Sequence, residues 1–213
     1  MPHEPAGLPV GVRNLTFAYP GEPPVLRGLN WLVPAGARAG LLGPSGAGKS
    51  TLLLHLNGLL RPLDGEVLIG PTPVREQTLP DIRRDVGIVF QNPDDQLFHL
   101  SIAEDIAFGP RNLGWSEDRV RAAVAETAAA LRIGGLLDKH PQQLSSGEKK
   151  RAALATVLAM QPRVVALDEP FANLDPALIE QLIAIIRALG ATVILISQSI
   201  LPALACCDTL AVL

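Results

Sequence analysis

Cysteine is almost missing from this chain of 213 residues. Its only two, Cys206 and Cys207, are adjacent, too few for a disulfide framework. They point to a reducing compartment and to two small buried hydrophobes near a strand. Basic residues are in deficit as well: 18 Lys and Arg stand against 21 Asp and Glu, a net charge of −3. A dedicated nucleic-acid binder carries a basic excess or stripe, so no nucleic-acid partner is expected. No opening stretch has the charged, apolar, small-residue order of a secretory leader, which predicts residence in the cytosol. Long apolar runs are also wanting. Residues 192–213 come nearest to a membrane span, but Gln198, Pro202 and Asp208 interrupt them, and two short strands around a turn fit better. There is no tandem repeat and no low-complexity tract beyond an alanine-rich helical stretch at 122–130. What the chain does have is 48% apolar residues, enough for one well-buried domain.

Apolar and polar positions alternate through residues 10–35 around the turn-forming YPGEPP, predicting an antiparallel hairpin layer. RAGLLG then reads as a buried strand entering glycine-rich sequence, and KSTLLLHLNGLL has the apolar density of a core helix. Residues 92–143 differ in character. Polar loops lead to Ser116 as an N-cap, with Glu117 and Asp118 in the first turn of a helix that runs to Gly134 and Gly135, so a mostly helical insertion is expected. RVVALDEP is another buried strand. DPALIEQLIAIIRALG is a helix with Asp175 as cap, Pro176 at its first position and Gly190 just past its end, and TVILIS is the next strand. Nearly continuous apolar strands alternating with helices predict an α/β fold whose parallel sheet is covered on both faces.

GPSGAGKST, from Gly43 to Thr51, fits the pattern of glycine, four residues and Gly-Lys-Ser between a predicted strand and a predicted helix, the context a P-loop requires. Gly43, Gly46 and Gly48 let backbone N–H groups curl around an anion, and the following helix directs its positive end at the same phosphates. Pro44, Ser45 and Ala47 complete the loop, Lys49 supplies charge to the β- and γ-phosphates, and the Ser50 hydroxyl suits Mg²⁺. A chance glycine-rich turn is a remote alternative. VVALDEP provides the acidic element such a loop needs: Asp168 to hold Mg²⁺ and Glu169 to orient or deprotonate an attacking water. An Asp-Glu pair after a strand is ordinarily a solvated turn, but the P-loop upstream reverses that reading.

With these residues in place, the chain resembles the nucleotide-binding subunits of ABC transporters. LSSGEKKR at 144–151 is similar to that family's signature, usually Leu-Ser-Gly-Gly-Gln; FANLDP resembles the D-loop, with Asp175; Gln91 in VFQNPDDQLF matches the Q-loop; Tyr19 in FAYPG matches the aromatic that stacks on adenine. The resemblance runs from about residue 10 to residue 213. It implies a single domain (1–213): a P-loop NTPase core with an antiparallel β layer near the N-terminus (about 10–91 and 155–213) and a helical subdomain at about 92–154. It implies ATP and Mg²⁺ as cofactors, with Ser50, Gln91 and Asp168 at the metal and Glu169, Gln91 and Gln198 as catalytic groups. Ser145, Ser146, Gly147 and Glu148 would address ATP held by a second subunit, because a serine at a helix start presents hydroxyl, amide and dipole to a phosphate. An ordinary capped helix with a solvated basic face is the bland reading of that segment.

FQNPDDQLF followed by SIAEDIAFGPRNLGWSEDRV is similar to the energy-coupling-factor subgroup, in particular the ATPases of cobalt and nickel uptake. That likeness implies an ATPase homodimer or heterodimer, a transmembrane coupling protein and a substrate-binding membrane component, at the cytoplasmic face of the cell membrane. Leu97, Phe98, Leu100, Ile102, Ile106 and Phe108 then read either as core or as a groove for a partner's helix. The family usually continues past the final TLAVL, so a truncated C-terminus is one expectation.

Two positions depart from the pattern. Ser146 stands where a glycine is usual and Glu148 where glutamine is. A side chain at 146 costs roughly 1 to 2 kcal/mol if that residue needs positive φ and nothing if it is helical. Gln198, with Ser199 after it, stands where the family has its switch histidine. Glutamine offers a neutral hydrogen bond where histidine can carry charge. Either this is a slower working ATPase or it pairs asymmetrically with a different ATPase chain. Two other classes compete. A non-transport ABC ATPase leaves no room for a coiled-coil arm in the short stretch 92–143, and a small P-loop kinase leaves LSSGEKKR and ANLDP unexplained.

Overall fold

The computed structural model describes residues 7–213. In chain order its elements are β1 (Val10–Phe17), β2 (Leu26–Val33), β3 (Arg38–Leu42), α1 (Lys49–Leu56), β4 (Asp64–Ile69), β5 (Thr72–Pro73) and α2 (Leu79–Asp85). There follow β6 (Val86–Val89), α3 (Ile102–Asn112), α4 (Glu117–Ala130), α5 (Ser146–Leu158), β7 (Val164–Asp168), α6 (Pro176–Ala188), β8 (Thr192–Ser197), α7 (Ile200–Cys206) and β9 (Thr209–Val212).

The alternation at 10–35 builds the antiparallel sheet, ordered β2-β1-β4-β5. Val10, Val12, Leu15 and Phe17 of β1 are all buried, although the step from Val12 to Leu15 breaks the two-residue period of a strand. The register shifts between those residues, and Asn14 takes φ 49. This bulge returns the apolar set to the core side.

The second sheet is parallel, ordered β6-β7-β8-β3-β9. β6, β7, β8 and the middle of β3 are buried on both faces, as their unbroken apolar runs require, whereas the edge strand β9 is mostly exposed. Val165, Leu167, Val193 and Leu195 face a core shared with α5 and α6. Val164, Ala166, Ile194 and Ile196 face the core closed by α1 and the antiparallel sheet. Leu42 pairs with Ser197 and Asp168 with Ile196, so β3, β7 and β8 end along one edge. The carboxyl edge of such a sheet is where ligands bind.

Two local expectations are corrected, and one left open is resolved. The turn expected within 192–213 is the helix α7, because β8 and β9 both run parallel to β3 and flank it; a parallel crossover needs a long connection. Pro202 sits in the first turn of α7, where a missing N–H costs nothing. The helix from Glu117 stops at Ala130 rather than at Gly134. Leu131 and Ile133 turn into the core with Arg132 left-handed between them at φ 54, and Gly134 belongs to a separate short 3-10 turn. Of the six apolar residues offered for a partner groove, Leu97, Ile102 and Ile106 are core, whereas Phe98, Leu100 and Phe108 are 63%, 78% and 43% exposed. Among the described residues no helix is long and apolar enough to cross a membrane.

Candidate functional site

β3 delivers the chain at Leu42 into a loop that ends where α1 begins. Gly46 and Gly48 take φ 82 and φ 94, a region that costs a side chain roughly 1–2 kcal/mol. A Cβ on Gly48 would lie 2.8 Å from Val25 Cγ1, so this glycine is required for space as well as for φ. Lys49 is buried, its Nζ donating to the carbonyls of Gly43 (2.8 Å) and Pro44 (2.9 Å), while the Ala47 amide donates to Pro44 (3.3 Å). Glycine spacing thus folds the loop around its own lysine, with the N-terminus of α1 behind it.

Across the sheet edge, Asp168 ends β7 and Glu169 follows at φ 47. The Glu169 amide donates to Ile196 O (3.0 Å), and its Oε2 accepts from the Gln198 amide (3.1 Å). Burial pushes the Asp168 carboxyl above its usual range, against the Ser50 hydroxyl and the Lys49 charge. Asp168 Oδ1 and Glu169 Oε1 are buried without a partner. Such orphaned acceptors are rare and costly in a folded protein. Carboxylate oxygens beside a hydroxyl are the hard donor set that Mg²⁺ prefers, so the residues present fit that ion.

These groups share a cleft of about 400 Å³ that Tyr19, Ser45, Gly46, Gly48, Lys49, Ser50, Thr51, Gln91, Asp168, Glu169 and Gln198 help to line. Tyr19 sits at its wall, its hydroxyl 3.2 Å from Thr51 Oγ1 and its ring edge-on to Phe17. The Gln198 side chain is exposed there. Glu22, Val25 and Ile196 line the same cleft. Sequence reasoning missed them, because Glu22 in YPGEPP, Val25 just after it and Ile196 in TVILIS read as turn, hairpin and core.

The signature residues lie apart from this cleft. Ser145 caps α5: its amide and its hydroxyl both donate to Glu148 Oε2 at 2.8 Å. Those two donors hold the Glu148 carboxyl below its usual range. Ser146 is the first helical residue and is not left-handed, so replacing the usual glycine brings no backbone strain. Gly147 is tightly enclosed, a Cβ there falling 2.5 Å from Leu178 Cδ1. Asp175 caps α6, accepting from the Leu178 amide at 3.0 Å.

A strand, phosphate-type loop and helix, an acidic strand end beside them and a second helix whose capped N-terminus lies outside the cleft define a nucleotide-binding cassette. The chain belongs to the ABC transporter family, whose profile matches residues 26–172. It is 47% identical over 196 residues to an energy-coupling factor transporter ATP-binding protein, EcfA, of Methanothermobacter thermautotrophicus, covering 90% of this chain and 63% of that protein. It is 48% identical over 202 residues to the cobalt import ATP-binding protein CbiO of Rhodobacter capsulatus, covering 92% of this chain and 72% of that protein. Its fold superimposes with TM-score 0.85 on the ATP-binding cassette MJ0796, solved as a dimer in a post-hydrolysis state bound to ADP and Pi, at 28% identity over 96% of this chain and 94% of the other. The chain therefore spans less than two thirds of the EcfA relative's length.

Proposed function

We propose that the chain is the ATP-hydrolysing subunit of an energy-coupling-factor-type importer. The observation that carries this reading is the meeting of the Lys49 loop with the orphaned oxygens of Asp168 and Glu169 in one cleft. Asp168, Ser50 and Gln91 would hold Mg²⁺, which supplies charge neutralisation for the transferred phosphoryl group. Gly43 to Thr51 cradle the phosphates of ATP, and Tyr19 takes the base. Glu169 Oε1, free of hydrogen bonds, accepts the proton of the attacking water, while Oε2 stays anchored to the Gln198 amide. Gln198 donates a neutral hydrogen bond to the γ-phosphate.

Ser145 to Glu148 lie outside the chain's own cleft, which supports a dimer in which α5 of each subunit addresses the ATP of the other. Asp175 would stand at that junction. That MJ0796 was solved as a dimer supports the pairing of two cassettes. The proposed division is a core of 10–91 and 155–213 with a helical subdomain at 92–154. That subdomain helps to border an apolar groove of about 560 Å³ that includes Phe98, Phe108, Leu113, Val157 and Met160. Buried Asp105 shapes its rim by accepting the amides of Phe98 and His99, each at 3.0 Å. A helix of a transmembrane coupling protein fits there, which would hold the chain at the cytoplasmic face of the membrane beside a substrate-binding component. The name of the CbiO relative favours cobalt as cargo. Gln198 favours a second reading, an asymmetric pair whose other ATPase chain carries the stronger phosphate contact.

The test is expression with candidate membrane partners followed by ATPase assay and pull-down. Glu169→Gln should lower kcat by about two powers of ten or more while ATP still binds. Phe108→Asp should release the membrane protein without lowering Tm. Recovery of the chain only with nucleic acid, or full activity in Glu169→Gln, would refute the proposal.

A further inference from the structure

Lys150 falls in LSSGEKKR, a segment whose basic residues read in sequence as a solvated face. The structure places it otherwise. Its Nζ reaches from α5 to the carbonyls of Glu169 (3.2 Å), Pro170 (3.3 Å) and Ala172 (2.5 Å). An ammonium has three donors and no acceptor, and here each finds a backbone oxygen of the same turn. Burial lowers the pKa of this lysine, and the charge of Glu169 opposes that shift. A partly buried cation is tolerated where its hydrogens are satisfied.

The turn it grips needs holding. Glu169 and Asn173 adopt φ 47 and φ 60, a region that residues with a side chain avoid and that persists only where the surroundings over-determine it. At Glu169 those surroundings are the amide bond to Ile196 on one side and, at its carbonyl, the Ala172 amide (3.2 Å) together with Lys150 on the other. The remaining contact, Glu169 Oε2 to the Gln198 amide, fixes the carboxylate only while the turn keeps its shape. Lys150 stands little more than one helical turn beyond Ser145, the cap of the same helix. A single rigid element therefore begins at the signature serine and ends its grip on the backbone of the general base.

We propose that Lys150 is a positioning residue: it sets the Glu169 carboxylate by converging three carbonyls of its turn, and so ties that carboxylate to the helix that Ser145 caps. This rests on the ATPase reading above. Displacement of α5 by nucleotide bound across the dimer would then be felt at the subunit's own general base, with no side chain of α5 entering its cleft.

The experiment compares Lys150→Met and Lys150→Arg with the parent chain in the assembled complex. In nucleotide-free protein, amide hydrogen exchange across 169–175 should speed up in Lys150→Met while the strands β7 and β8 keep their protection. Under turnover, its kcat should fall at least about tenfold with KM for ATP within about twofold, and Lys150→Arg should recover a third or more of the loss, roughly. Affinity for a fluorescent ATP analogue should be unchanged, which separates a misplaced base from a misfolded site. Unchanged exchange at 169–175, unchanged kcat, an effect on KM alone, or an arginine variant no better than the methionine one would each overturn the proposal. A parent chain that hydrolyses no ATP would sink the ATPase reading itself, a result distinct from an active parent with an equally active Lys150→Met.

Discussion

Replacing Gln198 with histidine should accelerate ATP hydrolysis. The Gln198 side chain is exposed at the cleft, so the exchange removes no packing, and the one structural bond at this position uses the backbone amide, which donates to Glu169 Oε2 at 3.1 Å. Histidine keeps that amide and adds a ring that can be positively charged. A hydrogen bond from a charged donor contributes about 1.5 to 3 kcal/mol against about 1 for a neutral one, a difference of about 0.5 to 2 kcal/mol. If it is expressed in the transition state, kcat should rise by a factor of about 2 to 30. Near the Glu169 carboxylate an imidazole is pushed toward its charged form, so the gain should be largest at low pH and shrink as pH rises well above about 6.5. Steady-state rates of the two proteins from pH 5.5 to 9 at saturating ATP and Mg²⁺ test this. A ratio of one throughout would refute the idea that glutamine limits turnover, and a gain that ignores pH would refute the role of charge.

Gly48→Ala should disrupt the phosphate loop twice over, by strain at φ 94 and by contact with Val25 Cγ1. Scanning calorimetry should find Tm lower by about 2–8 °C, from roughly 1–2 kcal/mol of strain, and titration should find ATP binding weakened; a variant that binds normally would remove the loop geometry from the argument. His55 provides a pH prediction. Its Nδ1 lies 2.7 Å from Thr51 O, and burial lowers its pKa. The unfolded chain therefore binds more protons at this site than the folded one as pH falls below about 6.5. Its contribution to stability is complete above that pH and is lost below it, so Tm should decline on acidification and His55→Gln should lessen the decline.

Much of the cleft was legible because its chemistry is local. Glycine spacing, a lysine and a serine at the head of a helix, and an acidic pair closing an apolar strand are readable within a few residues of chain. Caps were equally readable: Ser116, Ser145 and Asp175 each accept from an amide three residues on, an interaction confined to one turn. Where the reading failed, the deciding partner lay far off in sequence. A helix replaced a turn at 200–206 because β9 had to reach the far side of β3. Glu22 and Val25 entered the cleft because the antiparallel sheet stands beside α1, and no local pattern announces that.

The sequence alone determined the class of fold, the glycine-rich loop that folds around Lys49 and the acidic pair closing β7, since each depends on backbone freedom, periodicity and charge over short spans. Only the tertiary structure decided which of Leu97, Phe98, Leu100, Ile102, Ile106 and Phe108 are core and which are surface, because apolar character is the same in both and burial depends on what folds over it. It also decided that Ser146 is strain-free at a helix start. And it turned Lys150 from a solvated charge into a clamp on Glu169, since carbonyls 19 to 22 residues away converge on an ammonium only once the chain has folded.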